Sequence, residues 1–283
     1  MIFNSETNTP TFIFIDGSYF CFYRYHSLLN WWKNAYPEEP LVDPFQNQKF
    51  VDKFVKTFIE NVEDIPKRLG LHKNSPNPIL IVGKDCKREQ IWRTQLFPEY
   101  KGTRDKDEGI LIGPFFKMVY EDNLFGKGGS KAILKHPHLE ADDCIAISVK
   151  YVLDKYPDAK IYIITSDKDY LQLAKPNVEI YSLSYKKLTD QKSSTGNPEI
   201  DLFCKIVMGD ISDNIKSVLK KCGPKTALKC YENREYFEER LKNENAYELY
   251  KFNETLVDFN KIPQELADEF IYNNITNYTP LKI

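Results

Sequence analysis

Several things are scarce in this 283-residue chain, and each scarcity excludes something. The six cysteines (Cys21, Cys86, Cys144, Cys204, Cys222, Cys230) include no CxxC pair, so neither a zinc site nor a disulfide framework is signalled, and reduced, mostly buried thiols are expected. No apolar run approaches the roughly 18 residues that a spanning helix needs. The first residues, Met1 to Glu6, lack the basic and apolar regions of a secretory leader, so an intracellular protein is expected, in cytoplasm or nucleus, with no membrane partner. Positive charge is not in excess either: 39 Lys and Arg face 41 Asp and Glu, for a net charge of −2, which argues against indiscriminate binding of polyanions over the whole surface.

What is present is ordinary folding material: 42% hydrophobic, 28% charged and 14% aromatic residues, enough for a sizeable core and against disorder. The neutral average hides a segregation of charge. Lys84 to Lys106 hold seven Lys or Arg against four acids, and Lys216 to Lys229 hold five Lys and no acid. Taken alone, such runs are most simply solvated faces.

Short apolar, β-prone runs punctuate the first two thirds. Thr11 to Ile15 ends at Asp16-Gly17-Ser18, Pro78 to Gly83 ends near Asp85, Lys160 to Thr165 ends at Asp167 and Asp169, and Val178 to Leu183 follows. Continuous apolar strands separated by helix-length segments imply crossovers and a largely parallel sheet covered on both faces, an α/β fold. In such sheets ligands collect at the carboxyl ends of the strands, where Asp16, Asp85, Asp167 and Asp169 would all lie. A single Asp there is commonly a cap or a turn residue; four on one edge are not required by any turn.

Glu140-Ala141-Asp142-Asp143 then opens an apolar helix. One acid would complement the helix dipole, but three within four positions repel one another unless a cation intervenes. Asp210 and Asp213 of Gly209-Asp210-Ile211-Ser212-Asp213-Asn214 bring the acids to nine: Asp16, Asp85, Glu140, Asp142, Asp143, Asp167, Asp169, Asp210 and Asp213. All-oxygen donors suit hard divalent cations, Mg²⁺ or Mn²⁺, and two such ions could turn water against a phosphodiester in an in-line displacement. The cationic partner would be Lys101 and Arg104 of Phe97 to Asp105, with Tyr100 placed to stack on a base. Gly126-Lys127-Gly128-Gly129-Ser130 lacks a Walker ending and reads as a mobile bend. Beyond the polar linker Gln191 to Pro198 the chain reads as helical, and Gly223-Pro224-Lys225-Thr226 reads as a turn into a helix N-terminus able to hold a phosphate.

Together these residues resemble the 5′-nuclease superfamily, which includes flap endonucleases and the 5′-exonuclease domains of bacterial polymerases; the likeness is closest to the bacteriophage-type 5′→3′ exonucleases and flap endonucleases. The resemblance rests on Asp16, Asp85, the box Tyr100 to Arg104, Glu140 to Asp143, Asp167 with Asp169, and Gly209 to Asn214, in family order over roughly residues 11 to 230. It implies a PIN-like, largely parallel twisted sheet flanked by helices within residues 1–190, a helical arch over about 105–137, and a helix-three-turn-helix subdomain with further helices over 198–283. It also implies two Mg²⁺ sites, with Mn²⁺ able to substitute. The first is made by Asp16, Asp85, Glu140 and Asp142; Asp143, Asp167, Asp169, Asp210 and Asp213 complete the second and the outer shell. Arg93, Lys216, Lys220, Lys221, Gly223, Lys225 and Thr226 are the implied DNA contacts. The implied partner is DNA with a 5′ flap, nick, gap or free 5′ end, or an RNA–DNA hybrid, met by a monomer from a cell or a phage. The family's Gly-Ile-Gly hairpin is Lys221-Cys222-Gly223 here, which leaves a K⁺ site at that turn open.

Three other readings compete. A haloacid-dehalogenase-type phosphatase would use Asp167-Lys168-Asp169, but leaves Glu140 to Asp143 and Tyr100 to Arg104 unexplained. A catalytically inactive DNA-binding protein of the same fold would have shed acids that are all present. A small PIN-type ribonuclease would have no use for the lysine-rich turn after Gly209 to Asn214.

Overall fold

The computed structural model describes residues 9–71, 77–103 and 108–276. Five strands, β1 (Thr11–Asp16), β2 (Ile79–Gly83), β3 (Ala132–Leu134), β4 (Lys160–Ile164) and β5 (Val178–Tyr181), form one sheet in the order β3-β2-β1-β4-β5, every pair parallel. The strands β1, β2, β4 and β5 coincide with the four apolar runs. Strand β3 is an addition: three residues at the sheet edge, too short for an alternation to stand out from sequence.

Both faces of the sheet are covered, as continuous apolar strands demand. Phe12 and Phe14 of β1 point into a core shared with the helix Ala141–Lys155, while Ile13 and Ile15 point into another with the helices Gly17–Ala35 and Gln48–Glu63. The second of these helices carries Phe50, Phe54, Phe58 and Val62 at four-residue spacing, which puts one fully buried stripe against the sheet layer. Where β1 turns into its helix, Gly17 is required: a Cβ there would lie 2.5 Å from the Tyr120 hydroxyl and 2.6 Å from the Gly83 carbonyl.

The stretch 105–137, where an arch is expected, is described from residue 108 onward. Residues 104–107, Arg104 and Asp105 among them, lie outside the described residues. From there on the chain is packed: within the helix Glu108–Glu121, Ile112, Phe115 and Val119 are buried in the second core, followed by Leu124 and Phe125. The stretch then ends in β3. Nor is Gly126 to Ser130 a mobile bend. Leu124–Lys127 is a helical turn, and Gly128 sits where a Cβ would meet Val62 at 2.5 Å.

The region after residue 197 is helical, from Pro198–Met208 through Pro224–Glu232, Arg234–Glu244, Tyr247–Val257 and Gln264–Ile271. Its own apolar cluster is built on Phe203, Val207, Leu219 and Phe237. Two backbone-level contacts stitch it to the sheet region beside the acids: the Lys101 amide donates to the Asp213 carbonyl at 3.0 Å, and the Asn214 side chain donates to the Glu99 carbonyl at 3.0 Å. The six cysteines are free thiols, and among the described residues no helix is long and apolar enough to cross a membrane.

Candidate metal centre

The carboxyl ends of the strands deliver the acids to one place. Asp16 is the last residue of β1 and caps the next helix, its Oδ1 accepting from the Tyr19 amide at 3.0 Å while Oδ2 accepts from Thr165 and Tyr170 at 3.3 Å each. Asp85 follows β2; it accepts from Ser18 and, at 2.8 Å, from the Ala141 amide, so it is locked to the first turn of the helix that carries Asp142. Asp167 follows β4 and accepts from the Asp169 amide at 2.9 Å. Asp16, Asp85, Glu140, Asp142, Asp167 and Asp210 all line one cleft of about 1110 Å³ that continues to Gly223 and Lys225.

In each of two groups the ligand atoms all lie within 4.8 Å of one another: Glu140, Asp142 and Asp143 form one group, and Asp169, Asp210 and Asp213 the other. The donor set is oxygen throughout, which fits hard divalent cations.

Electrostatics agrees with that fit. Burial, then Asp85 and Asp167, pushes the Asp16 carboxyl up to about 7. Burial and the neighbouring Asp167 do the same to Asp169, to about 7, despite Lys205. Asp142 is pushed well up by burial, Asp143 and Glu140. A shared cation would reverse each of these penalties.

Not every expected ligand is available. Asp143 is fully buried, and both its oxygens are occupied: Arg93 donates to Oδ1 and Oδ2 at 2.8 Å each, while Trp92 at 3.0 Å and the Glu140 amide at 3.1 Å also donate to Oδ2. Although its atoms lie close enough to share an ion, the carboxylate serves as an internal anchor that closes the capping box with Glu140. Two further assignments are corrected by burial. Arg93, 2% exposed, cannot reach DNA; it binds Asp143, Glu140 and the Leu256 carbonyl instead. Tyr100, 4% exposed, cannot stack on a base; its hydroxyl donates to Glu140 at 3.1 Å and Asp213 at 3.2 Å. Lys101, held at a positive φ of 56°, points its ammonium at Glu140.

Sequence reasoning missed Lys205. It sits in the last turn of Pro198–Met208 and pairs with both Asp210 and, at 2.5 Å, Asp169 Oδ1. Against the upward push of burial, Lys205 and Ser212 bring the Asp210 carboxyl down to about 2. The available signal was a lone lysine one helical turn before Gly209-Asp210, in the apolar second half of a helix whose acids lie in its first turn. Of the expected DNA contacts, Lys216, Lys220, Lys221, Gly223 and Lys225 are exposed and Thr226 is half-buried. Lys221 takes φ 51°, the left-handed conformation that a glycine would adopt without strain, and Gly223 caps the helix Pro224–Glu232.

A parallel sheet with acids gathered along its carboxyl edge, beside exposed lysines on an adjoining helical module, defines an α/β protein whose acidic cleft has the oxygen donors to hold hard divalent cations. Residues 11–197 match the family described as 5′-3′ exonuclease, N-terminal resolvase-like domain, and the chain belongs to that family. A phage T4 protein named Ribonuclease H is 37% identical over 155 residues, 49% of this chain and 48% of that one. A 5′-3′ exonuclease of Buchnera aphidicola is 30% identical over 233 residues, 80% of this chain and 71% of that one. The chain thus spans about half the length of the first relative and most of the second. Among solved structures, the bacteriophage T5 D15 protein co-crystallised with metal ions superposes with a TM-score of 0.64 at 19% identity, over 93% of this chain and 97% of that one. A T5 flap endonuclease in a pseudo-enzyme-product complex with DNA and metal ions gives 0.63 at 19%, with the same coverage. These likenesses establish the fold.

The raised carboxyls give a pH prediction. A carboxyl whose folded value lies above its ordinary 3.8 favours the fold below about pH 4, and that contribution is lost as pH rises through about 7. The metal-free protein should therefore lose stability between those limits, while a divalent ion, which binds the ionised form, should restore it. Thermal melts in saturating Mg²⁺ and in EDTA should differ by several degrees more at pH 8 than at pH 5.5. An equal difference at both would show that Asp16 and Asp169 are not ligands.

Proposed function

We propose that the protein is a structure-specific 5′-nuclease that hydrolyses DNA phosphodiester bonds at 5′ ends or 5′ flaps, acting as a 5′→3′ exonuclease and flap endonuclease in replication, repair or recombination. The observation that carries this reading is the convergence of Asp16, Asp85, Glu140, Asp142, Asp167 and Asp210, from five separate segments, on a cleft that runs on to the exposed lysine turn at Gly223 to Lys225. Asp16, Asp85, Asp142 and Glu140 would hold one divalent cation, Mg²⁺ or Mn²⁺, and Asp167, Asp169, Asp210 and Asp213 a second. Bound there, the pair supplies Lewis acidity toward the attacking water and the leaving 3′-oxygen.

The chain's own residues do the rest. Ser18 and the Ala141 amide fix Asp85, and Thr165 and Tyr170 fix Asp16, so the ligands are aimed before substrate arrives. Lys101 compensates Glu140 and would offset charge developing on the scissile phosphate, the role also expected of Arg104, which lies outside the described residues. Lys216, Lys220, Lys221 and Lys225, with the Gly223 and Thr226 backbone, grip duplex phosphates without reading sequence. This assigns residues 1–190 to catalysis and 198–283 to duplex binding, in a monomer that works inside a cell. The K⁺ site implied for the hairpin is supported only by the left-handed φ of Lys221, and RNA–DNA hybrids are a further substrate of the same cleft.

The test is a product map. DNA labelled at the 5′ end, built as flap, nick, gap and blunt duplex, should yield short 5′ products in Mg²⁺ or Mn²⁺ and none in EDTA. Binding without cleavage would favour an inactive DNA-binding protein, and hydrolysis of a small phosphomonoester alone would favour a phosphatase.

A further inference from the structure

Beside the metal centre, on the side away from the lysine turn, lies a second group of cations that the proposed chemistry does not use. Two cavities, of about 350 and 670 Å³, adjoin along the β2–β3 edge and share Lys84 and Lys135 in their linings; Lys131 belongs to the first and Lys87 to the second. The larger one also reaches Asp85, which lines the acidic cleft as well, so the two concavities meet at that residue. Asp85 is the one acid in either lining.

A solvated lysine face would account for Lys87, Lys131 and Lys135, which are exposed. It does not account for Lys84. That ammonium is half-buried and sits 4.0 Å from the centre of the Tyr120 ring. Among the described residues none of the four lysines forms an ion pair: Glu121 pairs with Lys117 at 3.9 Å, and Glu269 lies 3.4 Å from His136. Four lysines gathered around one aspartate leave an excess of positive charge, whose mutual repulsion a polyanion would relieve. Because Lys84 covers the Tyr120 ring, the surface grips phosphates and not bases.

We propose that this groove carries the single-stranded 5′ flap as it leaves the metal centre past Asp85, held through phosphates on Lys84, Lys87, Lys131 and Lys135. The inference rests on the nuclease reading above and adds to it a dependence on flap length. A lone strand suits two narrow cavities in series, whereas a duplex arm is left to the lysine turn on the other side.

The exposed pair can be changed without touching the core. In the full chain, Lys131→Glu with Lys135→Glu should leave kcat/KM on a flap of one nucleotide within about twofold, and lower it by roughly tenfold on a flap of 20 nucleotides. In parallel, the salt dependence of binding to a 20-nucleotide oligo(dT) should weaken. Two lost phosphate contacts correspond to a change of about 1.4 in the log–log slope, at about 0.7 per contact for single strands. An equal loss at every flap length would assign the lysines to duplex, and no loss at any length would leave them a solvated face; either overturns the proposal. Should the wild-type protein cut nothing, the nuclease reading falls, and the oligo(dT) comparison still decides the groove, with unchanged affinity and slope counting against it.

Discussion

Asp142→Asn is expected to lower turnover of a 5′-flap substrate by roughly a thousandfold or more, about 4 kcal/mol of transition-state stabilisation, while leaving DNA affinity in EDTA within about twofold. Three facts set this residue apart from its neighbours. Asp85 is tied to the Ala141 amide and Asp143 to Arg93, whereas the Asp142 side chain opens on the cleft and its Oδ1 accepts only from the Asp143 amide, at 2.7 Å. Its charge is opposed by burial, Asp143 and Glu140, which pushes the carboxyl well up. Asparagine keeps the shape and one oxygen, but removes the charge that would hold a divalent ion. The same loss of repulsion should raise the melting temperature of the metal-free protein, or leave it unchanged, and should remove most of the gain from Mg²⁺. A variant that cuts flaps at the wild-type rate in Mg²⁺ would place the metal elsewhere.

The features legible in the sequence were those written in short, uninterrupted signals. Four strands could be read from their apolar runs, and three of those runs stop at or near an aspartate, which a parallel sheet then sends to a common edge. Roles within the acid set could not be read. Glu140, Asp142 and Asp143 look equivalent as text, and only the packing of Trp92 and Arg93 beneath the helix makes Asp143 an anchor while Asp142 faces the cleft. Strand β3 escaped because three residues on an edge carry almost no period of their own. The glycines of Gly126 to Ser130 misled for a related reason: a glycine chosen for close packing, as Gly128 is against Val62, has the same letter as one chosen for freedom. Lys205 was hidden because its partners Asp169 and Asp210 come from different parts of the chain and meet only once the helical region docks.

That docking has a single costly point of dependence, and removing it should show as the largest stability effect in the molecule. Arg93 lies 2% exposed between three elements. Its guanidinium donates to both Asp143 oxygens at 2.8 Å, to Glu140 at 3.0 Å and, through Nε at 2.7 Å, to the Leu256 carbonyl of Tyr247–Val257. Truncation to alanine leaves the buried Asp143 carboxylate without its cation, Glu140 with Lys101 alone, and an unfilled space under Trp92, whose ring centre is 4.5 Å from the guanidinium carbon. Breaking a buried pair in this way costs about 3–5 kcal/mol, and at about 2–4 °C per kcal/mol for a chain of this size the melting temperature should drop by on the order of 10 °C. Arg93→Lys should recover little, since an ammonium cannot bind Asp143 bidentately and also reach Leu256. Adding Asp143→Asn to Arg93→Ala should restore part of the loss, because the stranded charge is then gone; strict additivity of the two would show that the pair is not coupled. Below its melting temperature the Arg93→Ala protein should bind duplex DNA with the wild-type salt slope. A slope reduced by about one, in a protein that melts normally, would return Arg93 to the DNA-contacting surface and contradict its place in the core.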